Sequence, residues 1–145
     1  MQEADHILIP LLDGTHALAQ VVRVNDTRAL IHLTEGRATA DSKTSQINAG
    51  DVVATLVIDR TALAAEHWPV IGYEARPNGL TTDPGDLTGP DPLDPAIVEA
   101  FANACQGLYP WDGFPDPAFF ANLLRVPGAI PSRARMAADF PQPTS

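Results

Sequence analysis

Short apolar runs rich in β-branched residues, each followed by a turn signal, dominate the first half of this chain. Such runs have the length and composition of β-strands. The runs that we predict to be strands are His6–Leu12, Thr15–Val24, Arg28–Thr34, Val52–Ile58 and Trp68–Glu74. Turn signals at Asp13-Gly14 and Asn25-Asp26 join the first three into a meander, so residues 1–75 are expected to form a β-rich unit.

The Asp13-Gly14 pair predicts a tight hairpin turn, because glycine supplies the positive φ that such a turn requires. A two-residue loop there decides which residues face each other. The expected pairs are Leu11 with His16, Ile9 with Leu18 and Ile7 with Gln20 on one face, and Leu8 with Ala19 on the other. Both faces are largely apolar, which indicates a strand pair covered on two sides. Since Pro10 cannot donate to a strand ladder, the first strand is expected to be an edge strand or to carry a bulge.

Beyond the β unit the composition changes. Residues 76–93 are rich in Pro, Gly, Asp and Thr, which predicts a linker or an irregular crossover. Asp94-Pro95 supplies a capping residue and a first-turn proline, and apolar residues then recur at helical spacing, so we predict a helix over Pro95–Gln106. Asp116-Pro117 repeats this start and predicts a second, shorter helix. Residues 127–145 are a proline-punctuated tail, which we expect to be loosely held, at least after Met136.

Both predicted C-terminal helices are too short to be stable alone in water, so they should pack on the β unit. A further short helical stretch, Arg60–Glu66, is expected to begin at the capping residue Asp59. We therefore predict an α+β fold, in which a small antiparallel β-sheet or partly open barrel of about five to six strands is followed by two short helices within residues 94–126. The 145 residues fit a single compact domain.

The charge of the chain restricts its partners. It carries 9 basic and 18 acidic residues, for a formal net charge of -9, and Lys43 is its only lysine. Nucleic acid is bound through clustered lysines and arginines, so nucleic acid is not an expected partner. A negative surface speeds encounter with a positively charged protein, and it also keeps a protein soluble; both interpretations are open. The N-terminus lacks the basic residues of a secretory signal and a span of membrane length, so we expect a cytoplasmic protein with no membrane partner.

Residue types suited to catalysis or metal binding do not form a recognisable local motif. His6, His16, His32 and His67 have none of the spacings typical of local metal sites. Cys105 lies on the apolar stripe of the predicted helix near its carboxyl end, where the helix field disfavours a thiolate, so we expect it in the core. The sequence therefore predicts no catalytic residue, no metal and no cofactor.

Aromatic residues cluster beside prolines at two places, Trp68-Pro69 and residues 108–115. Tyrosine and tryptophan have large amphipathic surfaces that serve well in protein contacts. The residues that we predict to bind a partner are Trp68, Tyr109, Trp111, Asp112 and Phe114. The alternative is that both tryptophans only seal the junction between the β unit and the helices.

Three segments together resemble a known family. They are Ile9–Val22, which contains Ile-Pro-Leu-Leu-Asp-Gly, then Gly50–Ala54, and then His67–Gly72, which contains Trp-Pro-Val-Ile-Gly. They are similar to the hairpin and the W-x-x-I-G strand of immunity family 26 of bacterial polymorphic toxin systems. The similarity covers about residues 6–75, and His16 stands where that family commonly has an aromatic residue. The resemblance implies a cytosolic protein that binds and blocks a toxin domain without catalysis of its own.

These observations predict a non-enzymatic protein-binding module, most concretely an immunity protein that neutralises a cognate toxin domain, which an acidic chain would favour if the toxin is basic. Two alternatives remain open. One is a small-molecule enzyme or ligand-binding barrel in which two or more histidines gather in a pocket near a carboxylate. The other is a structural or assembly homo-oligomer that pairs through its apolar first strand.

Overall fold

The structure, a computed structural model, describes residues 5–38, 52–63, 67–73, 92–124 and 128–140, except for the side chains of residues 35, 37, 38 and 73. Five strands form one antiparallel sheet in the order β4-β3-β2-β1-β5. The strands are β1 (Asp5–Pro10), β2 (His16–Val24), β3 (Arg28–Ala38), β4 (Val52–Asp59) and β5 (Val70–Tyr73). All five predicted strands are confirmed, although β3 continues past its predicted end. The sheet is open, with β4 and β5 at its two edges.

The predicted register of the β1–β2 hairpin is wrong by one residue. Ile7 faces Ala19, whereas a two-residue loop would have placed it opposite Gln20. On the other face of the sheet, His6 takes the position opposite Gln20. Because strand side chains alternate between faces, this one-residue difference determines which side chains are neighbours throughout the hairpin.

The hairpin loop explains the shift, because it contains three residues, Leu12–Gly14. The Leu11 amide donates to the Thr15 carbonyl at 2.9 Å and closes the loop. Gly14 has φ of +87°, the left-handed conformation that completes three-residue hairpin loops. The Oδ1 atom of Asp13 accepts hydrogen bonds from the Thr15 amide at 3.0 Å and from its hydroxyl at 2.6 Å. These local bonds favour the longer loop over the predicted two-residue turn.

Strand β1 is not an edge strand, and the irregularity in its pairing with β5 comes from an extra residue of β5, Ile71. β5 pairs with its outer side, and the register shifts between His6 and Ile7. The Leu8 amide donates to the Pro69 carbonyl at 3.0 Å on this side. Alternate residues of a strand direct their main-chain nitrogens to the same side, so the nitrogen of Pro10 faces the same side as that of Leu8. Pro10 lies past the residues of β1 that pair with β5. The proline therefore interrupts no bond between β1 and β5.

One α-helix covers a face of the sheet. Helix α1 (Pro95–Cys105) begins at Asp94, whose Oδ1 atom accepts from the Ala96 amide at 2.8 Å, as the sequence predicts. It contacts β1, β3 and β4. The buried apolar residues of this core include Ile7, Ile9, Ala17, Ala19, Val21, Ile31, Leu33, Ala54, Leu56 and Ile58 on the sheet and Val98, Phe101, Ala102, Ala104 and Cys105 on the helix. Removing these side chains from water stabilises the packing of α1 on the sheet.

The segment predicted as a second C-terminal helix does not form an α-helix. Residues 117–120 form turns, and Ala121–Leu123 forms a single 3-10 turn. The segment is too short to favour a regular helix by itself, so tertiary contacts decide its conformation. The ring centroid of Phe120, which is fully buried, lies 4.6 Å from that of Phe114. This aromatic packing fixes the segment in a conformation that helical start signals do not predict.

Asp59 ends β4 and starts a helical turn, as predicted. Its Oδ1 atom accepts hydrogen bonds from the Thr61 amide at 2.9 Å and from the Thr61 hydroxyl at 2.5 Å. The turn is a short 3-10 helix, Arg60–Ala62, instead of the longer predicted stretch. The hydroxyl bond from Thr61, followed by its amide bond, lowers the pKa of Asp59 below the ordinary value of 3.8.

The last residue of the predicted linker extends the sheet at its β4 edge. The Leu93 amide donates to the Val57 carbonyl at 2.8 Å, and the Asp59 amide donates to the Leu93 carbonyl at 2.9 Å. Leu93 and Ile58 thus form a parallel bridge. Residues 76–91 of the predicted linker lie outside the described residues.

The predicted tail is hydrogen-bonded to the loop that follows α1. The Trp111 amide donates to the Arg135 carbonyl at 2.8 Å. The Ala137 amide donates to the Oδ1 atom of Asp112 at 2.7 Å. Residues 141–145 lie outside the described part of the chain.

Candidate functional site

Two of the residues predicted to bind a partner lie in the core. Trp68 is 4% exposed and Trp111 is 3% exposed. They seal the junction between the sheet and the C-terminal segments, which is the alternative weighed for them from the sequence. Tyr109 and Phe114 are half-buried, and their rings meet edge to face at 6.1 Å between centroids. In this conformation neither tryptophan presents a surface to a partner.

The predicted acidic contact Asp112 is also engaged within the chain, through its bond to the Ala137 amide. Asp116 has a similar local role, since its Oδ1 atom accepts from the Ala118 amide at 2.9 Å. Both carboxylates satisfy main-chain donors at turns. Tyr109, Trp111, Asp112 and Phe114 therefore belong to one folded segment, Trp68 lies apart from it beside Glu99, and contact of any of them with a partner stays a prediction.

The tip of the β1–β2 hairpin is the most exposed apolar point of the described surface. Leu12 is 71% exposed, more than Val70 or Ile130. The Leu12 amide donates to the Oδ1 atom of Asn103 at 2.7 Å. This bond attaches the hairpin tip to the last turn of α1. Neither residue was singled out from the sequence, since the chain separates them by 91 positions and only the fold shows that they meet.

Asn103 continues the connection into the helix. It is 5% exposed, and its Nδ2 atom donates to the Glu99 carbonyl at 2.8 Å. One turn away, the Glu99 carboxylate lies 2.8 Å from Nε2 of His67 and 3.4 Å from Nε1 of Trp68. Polar contacts along this side of α1 thus reach both the hairpin tip and the segment that leads into β5.

On the sheet face opposite α1, four polar side chains lie side by side across four strands. We call them the polar row. Its members are His6, Gln20, His32 and Thr55, which face one another in that order in the strand register. The first three are fully buried, and Nδ1 of His32 shares a hydrogen bond of 2.9 Å with the Thr55 hydroxyl.

Apolar side chains border the polar row on both sides. One group contains Leu8, Leu18 and Val52, with Ile71 packed against it, and the other contains Val22, Leu30 and Val57. Beside the first group, the Thr34 hydroxyl donates to the Leu18 carbonyl at 2.7 Å. Buried polar groups in such a row favour a single register, because a shifted register would move them away from these neighbours.

The four histidines therefore lie in three different places. His6 and His32 belong to the polar row, and His16 lies half-buried at the start of β2. His67 is on the other side of the sheet, paired with Glu99. Within the described ranges, no group of three His, Cys, Asp or Glu side chains could hold a metal ion. His6 and His32 share one row of the sheet with Gln20 between them, and a pocket that gathers histidines beside a carboxylate stays a prediction.

A cavity of about 130 Å³ lies at the carboxyl end of α1. Its walls are Cys105, Gln106, Pro131, Ser132 and Arg133. Nη1 of Arg133 donates to Oε1 of Gln106 at 2.9 Å across the wall. The thiol of Cys105 is buried, as predicted, and packs with the core. This cavity is separate from the polar row, and none of the histidines lines it.

Considering only the residues described by the structure, no helix is long and apolar enough to cross a membrane. Comparisons with models of known protein families, with curated proteins and with solved structures find no match to this chain. No family match therefore supports the resemblance to immunity family 26, which stays a prediction from the three sequence segments.

Proposed function

We infer that this chain is a non-enzymatic protein-binding module of the bacterial cytoplasm, and most concretely an immunity protein that binds and neutralises a cognate toxin domain. The observation that carries the inference is the excess of acidic over basic residues, 18 against 9. Exposed carboxylates stand on several loops of the described surface, namely at Asp13, Asp26, Asp94, Asp116 and Asp139. A surface of this sign attracts a positively charged protein and raises the rate of encounter.

The resemblance of residues 6–75 to immunity family 26 supports the same function, because that family consists of toxin-binding proteins. The fold is compatible with it, since exposed loop residues of the described part of the chain can contact another protein. In this proposal the chain blocks a toxin by covering its surface, and no residue of the chain performs chemistry.

The test is coexpression with the C-terminal domain of the protein encoded by the neighbouring gene, which this proposal takes to be the toxin. We expect restored growth, a complex that elutes as one species, and an association rate constant that falls by about tenfold or more as the salt concentration rises, since ions screen charge attraction. Growth arrest together with two separately eluting proteins would refute the proposal. Binding that salt does not affect would remove its electrostatic basis.

A second candidate is a protein that binds a small polar ligand at the polar row. The observation in its favour is that two imidazoles, an amide and a hydroxyl lie together on one face of the sheet. Titration of the protein with Zn²⁺ and, separately, with inorganic phosphate would test it, with the ring nitrogen resonances of His6 and His32 as the readout. Saturable shifts confined to these two rings would support this candidate, and unchanged resonances would exclude both ligands.

A further inference from the structure

The hairpin tip combines an exposed apolar side chain with a fixed main chain. The Leu12 side chain is 71% exposed, while the Leu12 amide is bonded to Asn103 at 2.7 Å. A single exposed leucine is common on protein surfaces and by itself indicates nothing. Leu12 differs because its main chain is bonded to Asn103, a residue that is only 5% exposed.

This bond reduces the flexibility of the loop before any partner arrives. Asn103 uses both ends of its amide, accepting from Leu12 and donating to the Glu99 carbonyl. On the other side of the loop, Asp13 accepts two hydrogen bonds from Thr15. A loop that is ordered in the free protein loses less conformational entropy on binding, so contacts made by its side chains contribute more to affinity.

Leu12 has one charged neighbour in sequence, Asp13, which is exposed. The loop also lies against the last turn of α1, where the helix carries partial negative charge, although the Arg133 guanidinium donates to Gln106 just past that turn. The net charge of the whole chain has the same sign. The charge that complements this tip is therefore positive, and the group that complements Leu12 is an apolar pocket.

We propose that the hairpin tip, residues Leu12–Gly14, is the interaction surface of this protein, and that its occupant is a basic protein domain that receives Leu12 in an apolar pocket. The proposal rests on the proposed function, and it adds the location of the contact and the chemistry of the partner. Leu12 is the anchor, Asp13 contributes negative charge beside it, and Asn103 is a positioning residue that does not touch the partner.

Binding of the purified toxin domain encoded beside this gene, measured by calorimetry, tests the location. We expect Leu12→Ala to raise the dissociation constant about 10-fold and Leu12→Asp to raise it about 100-fold or more, as for a buried apolar anchor at an interface. Val70→Asp is the matched control, because Val70 is also exposed, at 48%, and lies on β5 opposite Ile7, away from the hairpin loop. It should bind like the wild-type protein. Urea unfolding of each variant separates loss of binding from loss of folding.

Asn103→Ala tests the positioning role separately. We expect the Leu12 amide to exchange its hydrogen faster in this variant, and the affinity for the toxin domain to fall by less than in Leu12→Asp. If Leu12→Asp binds as tightly as the wild-type protein, the location is wrong while the proposed function stands. If the wild-type protein itself does not bind the toxin domain, the proposed function and this proposal fail together.

Discussion

The amide of Leu12 lies 2.7 Å from the Oδ1 atom of Asn103, a residue 91 positions later in the chain. This bond joins the loop of the first hairpin to the last turn of the helix that covers the sheet. It satisfies a loop donor with a buried side-chain acceptor, and the other end of the same amide donates a second hydrogen bond to the Glu99 carbonyl. One asparagine therefore ties the loop to the helix.

Replacing Asn103 by alanine should destabilise the protein by about 1–3 kcal/mol, because the Leu12 amide loses its acceptor, while the Glu99 carbonyl loses a second donor and keeps its helical bond. Urea unfolding measures the difference. Asn122→Ala is the matched control, since Asn122 is exposed and its substitution should change the free energy of unfolding by less than about 0.5 kcal/mol. Equal losses in the two variants would contradict the role given to Asn103.

Replacing glycines of positive φ by alanine should produce two different results. Gly14 and Gly107 have φ of +87° and +75°. A Cβ at Gly14 meets nothing within 4 Å, whereas one at Gly107 collides with the Arg133 carbonyl oxygen. Gly14→Ala should cost about 1–2 kcal/mol from backbone strain alone. Gly107→Ala should cost clearly more, because it also displaces the segment bonded to the loop after α1. Thermal unfolding of both variants checks this order, and similar melting temperatures would contradict it.

The hydrogen bond between His32 and Thr55 gives a prediction for the polar row. Thr55→Val removes the hydroxyl while keeping the side-chain shape, and it should destabilise the protein by about 1–3 kcal/mol, since a buried ring nitrogen loses that bond. In a His32→Leu background the same substitution should cost much less, because the imidazole is already gone. A double-mutant cycle by urea unfolding measures this coupling. Additive losses would show that the two side chains do not interact.

The lowered pKa of Asp59 predicts an acid-dependent contribution to stability. Because the folded state favours the carboxylate, the contribution is fully present above the ordinary pKa of 3.8 and is lost as the pH falls through the lower, folded value. The difference in unfolding free energy between wild type and Asp59→Asn should therefore be constant near neutral pH and shrink below about pH 3.8. Chemical unfolding between pH 2 and pH 6 would reveal this.

Thr61→Val gives the control for Asp59. It removes the hydroxyl donor, which is the first cause of the shift, and leaves the main-chain amide in place. Carboxyl carbon resonances should show the pKa of Asp59 rising toward its ordinary value in this variant. An unchanged titration would mean that the hydroxyl does not stabilise the carboxylate.

The fold could be predicted from the sequence where local patterns and packing agree. The strand runs and the Asp94-Pro95 start of α1 are of this kind. Asp116-Pro117 carries the same start signal, yet the chain after it is occupied by Phe119 and Phe120, whose packing with Phe114 prevents a regular helix. Where a few large side chains outweigh local propensity, a start signal alone cannot predict the element.

The site was harder to predict, because it depends on register. The Asp13-Gly14 pair fits a two-residue and a three-residue loop equally well, and the hydrogen bonds between Asp13 and Thr15 decide between them. With the shorter loop, Gln20 would face Ile7. With the observed loop it faces His6, and the polar row becomes continuous. The bond from Leu12 to Asn103 has no signal in the sequence.

The long separation between Leu12 and Asn103 has a consequence for the order of folding. On the ribosome, the first three strands emerge well before the helix is made, and β5 joins the sheet beside β1 only after β4. The nascent meander must therefore persist with one face exposed until α1 arrives, and long-range contacts of this kind slow folding. Chaperone dependence during synthesis, and a slow final step in refolding, are the behaviour that this connectivity favours.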